Sequence, residues 1–259
     1  HKLIGIIHPD ESGEDNSPRF DKALRLPPQH ASEVNFAKRL ELIEQNRVCD
    51  FSSDCMANFH WVRDVSFNAI FVRNLRDLVT IGRILGHTEA ADRYDQLAQA
   101  VTMAMRLFMM HPDGVMFSTY GLNYRKIEVL TWAVFMPMFA RILTPDEASM
   151  LVQKHLLNNK EFATPYGVPT VAQNQASFDP AGFWRGPVWL GANWFIYHGL
   201  KNYGFNEEAE RVLQSSKKLV EKSGFREYFS PLTGDGYGAQ NFTWPGLLLD
   251  MNLEQKHRL

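Results

Sequence analysis

Two carboxylate-rich turns, one near each end of the chain, hold the residue types that acid–base chemistry uses. The first runs Glu11-Ser12-Gly13-Glu14-Asp15-Asn16-Ser17-Pro18-Arg19 and crowds four carboxyl or amide groups together. The second runs Gly224-Phe225-Arg226-Glu227-Tyr228-Phe229-Ser230-Pro231, then Thr233-Gly234-Asp235-Gly236-Tyr237-Gly238-Ala239-Gln240. Each sets a carboxylate beside aromatic rings and glycine turns, surroundings that raise a carboxyl pKa by desolvation. Both also have plain structural readings: Asp15 can close an Asx-turn, and Glu227 can pair with Arg226 at the surface. Between them lies Phe178-Asp179-Pro180-Ala181-Gly182-Phe183-Trp184-Arg185-Gly186-Pro187-Val188-Trp189. Trp184 and Trp189 can be core residues there and Arg185 a cap, yet Trp-Arg-Gly-Pro is an unusual lead into an apolar helix. Arg185 falls where a helix N-terminus is already positive, so it calls for an acidic partner.

These turns need a frame, and beyond residue 60 the hydrophobic periodicity supplies helices in consecutive pairs. Val65 to Leu85 repeats apolar residues at Phe67, Ile70, Phe71, Leu75, Leu78, Ile81 and Leu85, and Gly86 stops it. Thr88 is placed to cap a partner running to about Met110, with Tyr94, Leu97, Val101, Met105 and Phe108 on one face. Ile127 to Ile142 reads as an apolar helix. Thr144-Pro145-Asp146-Glu147 is an N-cap with proline at the first helical position before Ala148 to Leu157. Pro187 to Tyr203 is a further apolar helix stopped by Gly204, and Asn206-Glu207-Glu208 caps a polar-faced one ending at Ser223-Gly224. Trp244 to about Gln255 closes the series, and Ser32 to Arg47 is a candidate eighth helix.

In each pair the first helix is expected to be buried and the second to keep a solvent face. There is no fixed repeat period, which excludes a TPR or ankyrin array, and the alternation implies a toroid or solenoid of helical hairpins. The segments Phe59 to Asp64, Met116 to Arg125, Phe178 to Gly186 and Gly224 to Thr243 lead into the inner helices. If those helices run parallel, the segments meet at one end, where a pocket would lie.

Composition narrows the field. The chain has 259 residues, a net charge of −2 and 45% hydrophobic residues, a soluble globular profile with no broad basic field for phosphate contacts. No apolar run reaches the roughly 18 residues a membrane span needs. Cys49 and Cys55 are too few for a disulfide framework and poorly spaced for zinc, so they read as buried free thiols. Of the eighteen Phe, eight Tyr and six Trp, many sit beside Gly, Pro or charged residues, a placement suited to lining a cleft.

Three strings carry a family resemblance: His8-Pro9…Glu11-Ser12-Gly13…Asp15-Asn16-Ser17-Pro18-Arg19, Phe183-Trp184-Arg185-Gly186-Pro187-Val188-Trp189, and Phe225-Arg226-Glu227-Tyr228-Phe229 with Phe242-Thr243-Trp244. In this order and spacing they resemble glycoside hydrolase family 63, which includes mannosylglycerate and glucosylglycerate hydrolases and the eukaryotic processing α-glucosidase, and is similar, more distantly, to trehalases. Trp132 to Met138 and Thr164 to Val171 resemble connecting segments of the same family, so the likeness spans the chain.

The resemblance implies an all-α (α/α)6 barrel and inverting hydrolysis of an α-glycosidic bond, with no metal and no cofactor. It puts the general acid on Asp15 and the general base on Glu227. Trp184 would then stack on a sugar ring, Arg185 would orient a carboxylate or hydroxyl, and Gln240 would bond the glycone or aglycone. Glu11 and Phe183 join the substrate-binding set. Asp64 either contacts a hydroxyl or serves as the N-terminal acid of its helix. His8 reads as a turn residue and Trp189 as sugar-facing or core.

Three positions depart from the family's pattern: Asp10 stands where Trp is common, Phe20 replaces a Trp, and Phe183 replaces a Tyr. An ionised Asp10 beside Asp15 would raise the acid's pKa. The expected substrate is a small sugar conjugate such as glucosylglycerate or mannosylglycerate, with a processing glucosidase, a trehalase or a non-catalytic carbohydrate binder as alternatives. Small carbohydrate is the expected partner, with no nucleic acid and no membrane, in the cytoplasm. A full ring has twelve helices and seven or eight are legible, so the chain is expected to be one catalytic domain lacking its first four or five helices, and inactive alone.

Overall fold

The computed structural model describes residues 3–56 and 61–256. Phe59 and His60, part of one expected site segment, lie outside the described residues. The chain divides into two compact units, His1–Val129 and Leu130–Leu259.

The first unit contains α1 (Asp21–Leu24), α2 (Ser32–Val48), α3 (Ser53–Met56), α4 (Val65–Ile84) and α5 (Thr88–Met109). Helices α4 and α5 form the expected antiparallel hairpin, turned by Gly86 at φ +77°. The cap differs from expectation, because His87 is the N-cap residue and Thr88 is already the first helical residue. The buried stripe of α4 is Val65, Ala69, Val72, Leu75 and Val79, whereas Phe67, Leu78 and Ile81 are exposed. The apolar repeat located the helix, but small and β-branched residues form its close-packed side.

Three two-residue strands, β1 (Val62–Arg63), β2 (Thr119–Tyr120) and β3 (Arg125–Lys126), pair antiparallel in the order β1-β2-β3. Ile6 bridges to Val62, and Ile6, Phe20, Leu24, Leu26, Leu42, Val62 and Ile127 pack into one apolar cluster. Phe20, the replacement for a larger aromatic, is therefore core. Cys49 and Cys55 form a disulfide rather than standing as free thiols. The turn between α2 and α3, with Asp50 and Phe51 both at positive φ, brings their Cα atoms to 5.5 Å.

The second unit contains α6 (Met136–Phe139), α7 (Pro145–Leu151), α8 (Leu190–Asn202), α9 (Asn206–Ser223) and α10 (Leu247–Lys256). Strands β4 (Arg226–Phe229) and β5 (Gly236–Gln240) form a hairpin, with a bulge between Arg226 and Tyr228. Thr144 and Glu147 make the anticipated capping box at α7.

Two of the apolar helices begin later than their composition suggests. The Ile127 to Ile142 run is helical only from Trp132, because Thr131 is extended and bridges Val171, and Leu130 accepts from the Ala172 N–H. Likewise Val188 exchanges backbone hydrogen bonds with Phe229, so α8 starts at Leu190 rather than Pro187. In both places β-branched residues answer an extended neighbour. Helix α8 is buried on most sides, and α9 turns Ala209, Val212, Leu213, Ser216 and Leu219 inward while its charged residues face out.

A buried asparagine recurs in both units. Asn68 accepts from Ile4 N–H at 2.9 Å and donates to Ile4 C=O at 2.9 Å and to Asp64 C=O at 2.8 Å. Asn193 repeats the pattern, accepting from Val168 N–H at 2.9 Å and donating to Val168 C=O at 2.8 Å and Trp189 C=O at 3.4 Å. Each side chain treats an extended segment as a strand would, four residues beyond the residue that begins its helix. Among the described residues no helix is long and apolar enough to cross a membrane.

Candidate active site

Each unit presents one of the two carboxylate turns. In the first, a single turn of 3-10 helix (Pro9–Ser12) is closed by a capping box: His8 Nδ1 accepts from Asp10 N–H, and Glu11 Oε2 accepts from the backbone N–H groups of Ile7 at 2.9 Å and His8 at 3.4 Å. His8 is thus the turn residue expected. Glu11, expected among the substrate contacts, spends one carboxylate oxygen on this cap.

Asp15 follows the turn with its side chain 44% exposed. Burial holds its carboxyl above the usual range, Asp10 adds to that, and Arg39 and His8 oppose it. The charge at Asp10 therefore acts on Asp15 in the direction anticipated. Arg39 of α2 is the cation between them, ion-paired to Asp10 and 3.7 Å from Asp15 Oδ2.

Behind the turn lies a buried charge network. Arg19, 2% exposed, pairs with Glu14 Oε1 and with Asp64 Oδ2 at 2.7 Å, and donates to Ser66 Oγ at 2.9 Å. Two charged partners hold its pKa above the ordinary arginine value against the burial that lowers it. Asp64 Oδ1 accepts from Phe67 N–H at 2.9 Å, the N-cap bond of α4, while Oδ2 also accepts from Ser118 Oγ at 3.0 Å. At 1% exposure Asp64 is the helix-start acid of the two expectations, with both oxygens engaged inside the protein.

In the second unit Glu227 projects from β4, half-buried, and Oε2 accepts from Ala239 N–H across the hairpin at 2.9 Å. Gly238 makes this approach possible. It sits at φ +64°, and a Cβ there would lie 2.3 Å from Glu227 Oε2 and 2.8 Å from both Glu227 Cβ and Tyr228 Cε1. Arg226 reaches across the hairpin to the carbonyls of Gly238 at 3.0 Å and Tyr237 at 3.5 Å. The Tyr228 phenol is pushed up by burial and by the Glu227 carboxylate, which keeps it a hydroxyl donor.

An aromatic cluster backs the strand. Trp184 and Trp189 stack with centroids 4.2 Å apart, Tyr228 stacks on Trp189 at 5.3 Å, and Phe183 meets both Trp189 and Tyr228 edge-on. Phe242 and Trp244 complete it. Trp189 is core, its Nε1 donating to Phe183 C=O at 2.9 Å. Trp184, expected to stack on sugar, is 4% exposed with one face covered by Trp189. The most exposed ring of the cluster is Trp244, 38% exposed and laid over Gly191 of α8. Arg185 is buried, and its C=O accepts from Asp179 N–H at 2.9 Å. Gln240 is exposed at the end of β5, and Phe183 holds a left-handed φ of +59°.

Sequence reasoning missed Arg39, Ser66, Ser118 and Gly238. Arg39 lies on a separate helix and Ser118 is 54 residues from Asp64, so neither carries a local signal. Gly238 did carry one, a glycine alternating with Tyr237 and Ala239 opposite the acidic strand.

Comparison with known proteins gives a consistent result. A family model described as the mannosylglycerate hydrolase MGH1-like glycoside hydrolase domain matches residues 2–245. A mannosylglycerate hydrolase from Thermus thermophilus is 32% identical over 95% of this chain and 63% of its own length. A glucosylglycerate hydrolase from Mycolicibacterium hassiacum is 25% identical over 93% of this chain and 60% of its own. The crystal structure of a family 63 mannosylglycerate hydrolase, also from Thermus thermophilus and in complex with glucose, superposes with a TM-score of 0.86 at 32% identity, covering 97% of this chain and 62% of that one. The all-α hairpin class expected from the sequence, that of the (α/α)6 barrel, agrees with this likeness. The chain spans about three-fifths of the length of these relatives.

Proposed function

The chain belongs to the MGH1-like mannosylglycerate hydrolase family of glycoside hydrolases, and from that premise we propose that it serves the inverting hydrolysis of an α-glycosidic bond in a small sugar conjugate such as glucosylglycerate or mannosylglycerate. The observation that carries this reading is the carboxyl of Asp15, held above its usual range by burial and by Asp10. A general acid must arrive protonated, and this environment favours the protonated form.

In this reading Asp15 protonates the departing glycosidic oxygen while Glu227 takes a proton from water attacking the opposite face of the anomeric carbon. Inversion asks the two carboxyl groups to stand roughly 6.5–9.5 Å apart, with the water between. The Ala239 N–H on Oε2 steadies the carboxylate, and the other oxygen is the one we assign to the water. Glu227, Tyr228 and the aromatic cluster form the wall on the base's side, with Trp244 supplying a ring face for the apolar side of a pyranose. Gln240 and Arg185 remain the proposed polar contacts.

The cytoplasmic setting expected from the sequence has a direct check in Cys49 and Cys55, since cytosolic thiols are normally kept reduced. With the Cys49–Cys55 bridge in place, alkylation of protein taken from cells should label neither cysteine, and labelling of both would speak for a reducing compartment.

The reaction is tested by incubating the full-length parent protein with glucosylglycerate, mannosylglycerate, trehalose and kojibiose and following the first-formed anomer by proton NMR. The expected product is the β-anomer from a glycosylglycerate, lost in Asp15→Asn and in Glu227→Gln. An α-anomer formed first, or full activity in either variant, would overturn the assignment.

A further inference from the structure

We propose that Arg19 is a positioning residue for Asp15, clamping the acid's loop to the first turn of α4 through Glu14. The proposal rests on the assignment of Asp15 as general acid, and adds the device that fixes where that acid stands.

The loop has little regular structure of its own. After the 3-10 turn it passes through Gly13 and Asn16, both in left-handed conformation at φ +69° and +64°, and the next apolar anchor is Phe20. Asp15 sits at the outer side of this stretch. Glu14, one residue earlier, points the other way, is 5% exposed, and meets the Arg19 guanidinium. That guanidinium is bound in turn to Asp64 and Ser66 at the start of α4. Asp64 is fixed twice more, by its cap bond to Phe67 N–H and by Ser118 Oγ, which also accepts from Val65 N–H at 3.0 Å. The acid is thus one residue from an ionic joint that ends on a hairpin helix.

Burying one guanidinium with two carboxylates is a poor route to stability, because desolvating charges offsets most of their attraction. What such a joint supplies is geometry: a planar fork with donors at fixed angles accepts its partners in few arrangements. The Asp15 carboxyl is moved chiefly by burial, with Asp10, Arg39, His8 and its own backbone as further causes, whereas Glu14 and Asp64 meet the Arg19 guanidinium. The clamp is thus assigned to the position of the acid, separately from the neighbours that set its proton affinity.

This separation makes the test specific. Glu14→Gln keeps the shape and removes the charge, and Ser66→Ala, a milder change, removes one bond to Arg19 while leaving both ion pairs. Hydrogen exchange on the protein should show amides 15–17 exchanging about tenfold or more faster in Glu14→Gln, with those of α4 beyond its first turn unchanged. On a glycosylglycerate, kcat should fall about 10- to 100-fold with KM within about twofold, the cost of misplacing a catalytic group by a fraction of an ångström. The alkaline limb of the pH profile should stay where it was. Hydrolysis of the matching glycosyl fluoride, whose leaving group needs little protonation, should change less than about threefold. Ser66→Ala should show the same pattern at smaller size. Unchanged exchange at 15–17, an equal loss on both substrates, or a displaced alkaline limb would each overturn the clamp. If the full-length parent protein hydrolyses neither substrate, the proposed function fails, and the exchange result alone decides the clamp.

Discussion

Gly238 faces a proposed catalytic group with no room for a side chain, and Gly238→Ala isolates that constraint. The added Cβ would lie 2.3 Å from Glu227 Oε2, about 1 Å inside ordinary contact, and 2.8 Å from Glu227 Cβ and Tyr228 Cε1. A carboxylate tip can swing aside, but a Cβ and a ring edge backed by Trp189 cannot, so the hairpin itself must shift. Two costs combine. Holding an L-residue at φ +64° costs about 1–2 kcal/mol, and overpacking typically adds about 1–3 kcal/mol. A loss of about 2–5 kcal/mol lowers the melting temperature of a chain this size by roughly 4–20 °C. The Glu227 carboxylate, displaced by about 1 Å, should lose turnover on the order of 100-fold. Thermal unfolding followed by circular dichroism reads the first effect, and kcat on the best glycosylglycerate reads the second. Gly238→Asn separates them, since asparagine tolerates the left-handed conformation but keeps the overlapping Cβ; it should recover part of the melting temperature and none of the turnover. A Gly238→Ala protein that melts within about 2 °C of its parent and turns over normally would refute the idea that this glycine sets the base.

Further outcomes follow from the same geometry. The folded-state pKa of Asp15 is raised, so its ionisation weakens the fold as pH rises through that value; Asp15→Asn should therefore melt higher than the parent at pH 7 and match it well below pH 4. Asn193→Leu strands the buried N–H and C=O of Val168 and should cost about 2–4 kcal/mol, read as a denaturant midpoint shift at constant slope. With the Cys49–Cys55 bridge, the non-reduced protein should weigh about 2 Da less than the reduced one, and reduction should remove about 2 kcal/mol, as expected for so short a loop.

The helices were legible wherever periodicity and punctuation agreed. Gly86, Gly204 and Gly224 stop their helices at positive φ, and the Thr144 capping box forms as spelled out by Thr-Pro-Asp-Glu. The errors share one cause. Ile127 to Thr131 and Pro187 to Val188 are mostly apolar, and such a run does not declare whether its backbone partner lies one turn along or about 40 residues away. Val188 answers to Phe229 and Leu130 to Ala172, pairings that no local window contains. The candidate acid and base were visible as residues in motifs. Their supports were not, because Arg39, Ser66 and Ser118 gain a role only when folding brings them to Asp15 and Asp64. The cysteines failed for a related reason: Cys-x5-Cys says nothing of the two left-handed residues that fold the intervening turn back on itself.

The paired asparagines set a limit on how this protein can change length. Asn68 and Asn193 each read one residue of an extended segment from a fixed station on a helix, like a pawl engaging a single tooth. One residue inserted between the helix start and that station would swing the amide by about 100° and release the extended segment it holds, Ile4 in one case and Val168 in the other. At the opposite ends of these helices, Gly86 and Gly204 stand in open space with nothing within 4 Å of where a side chain would begin. Lengthening should be tolerated there and refused at the other end, so tags, linkers or grafted loops belong at residues 86 and 204.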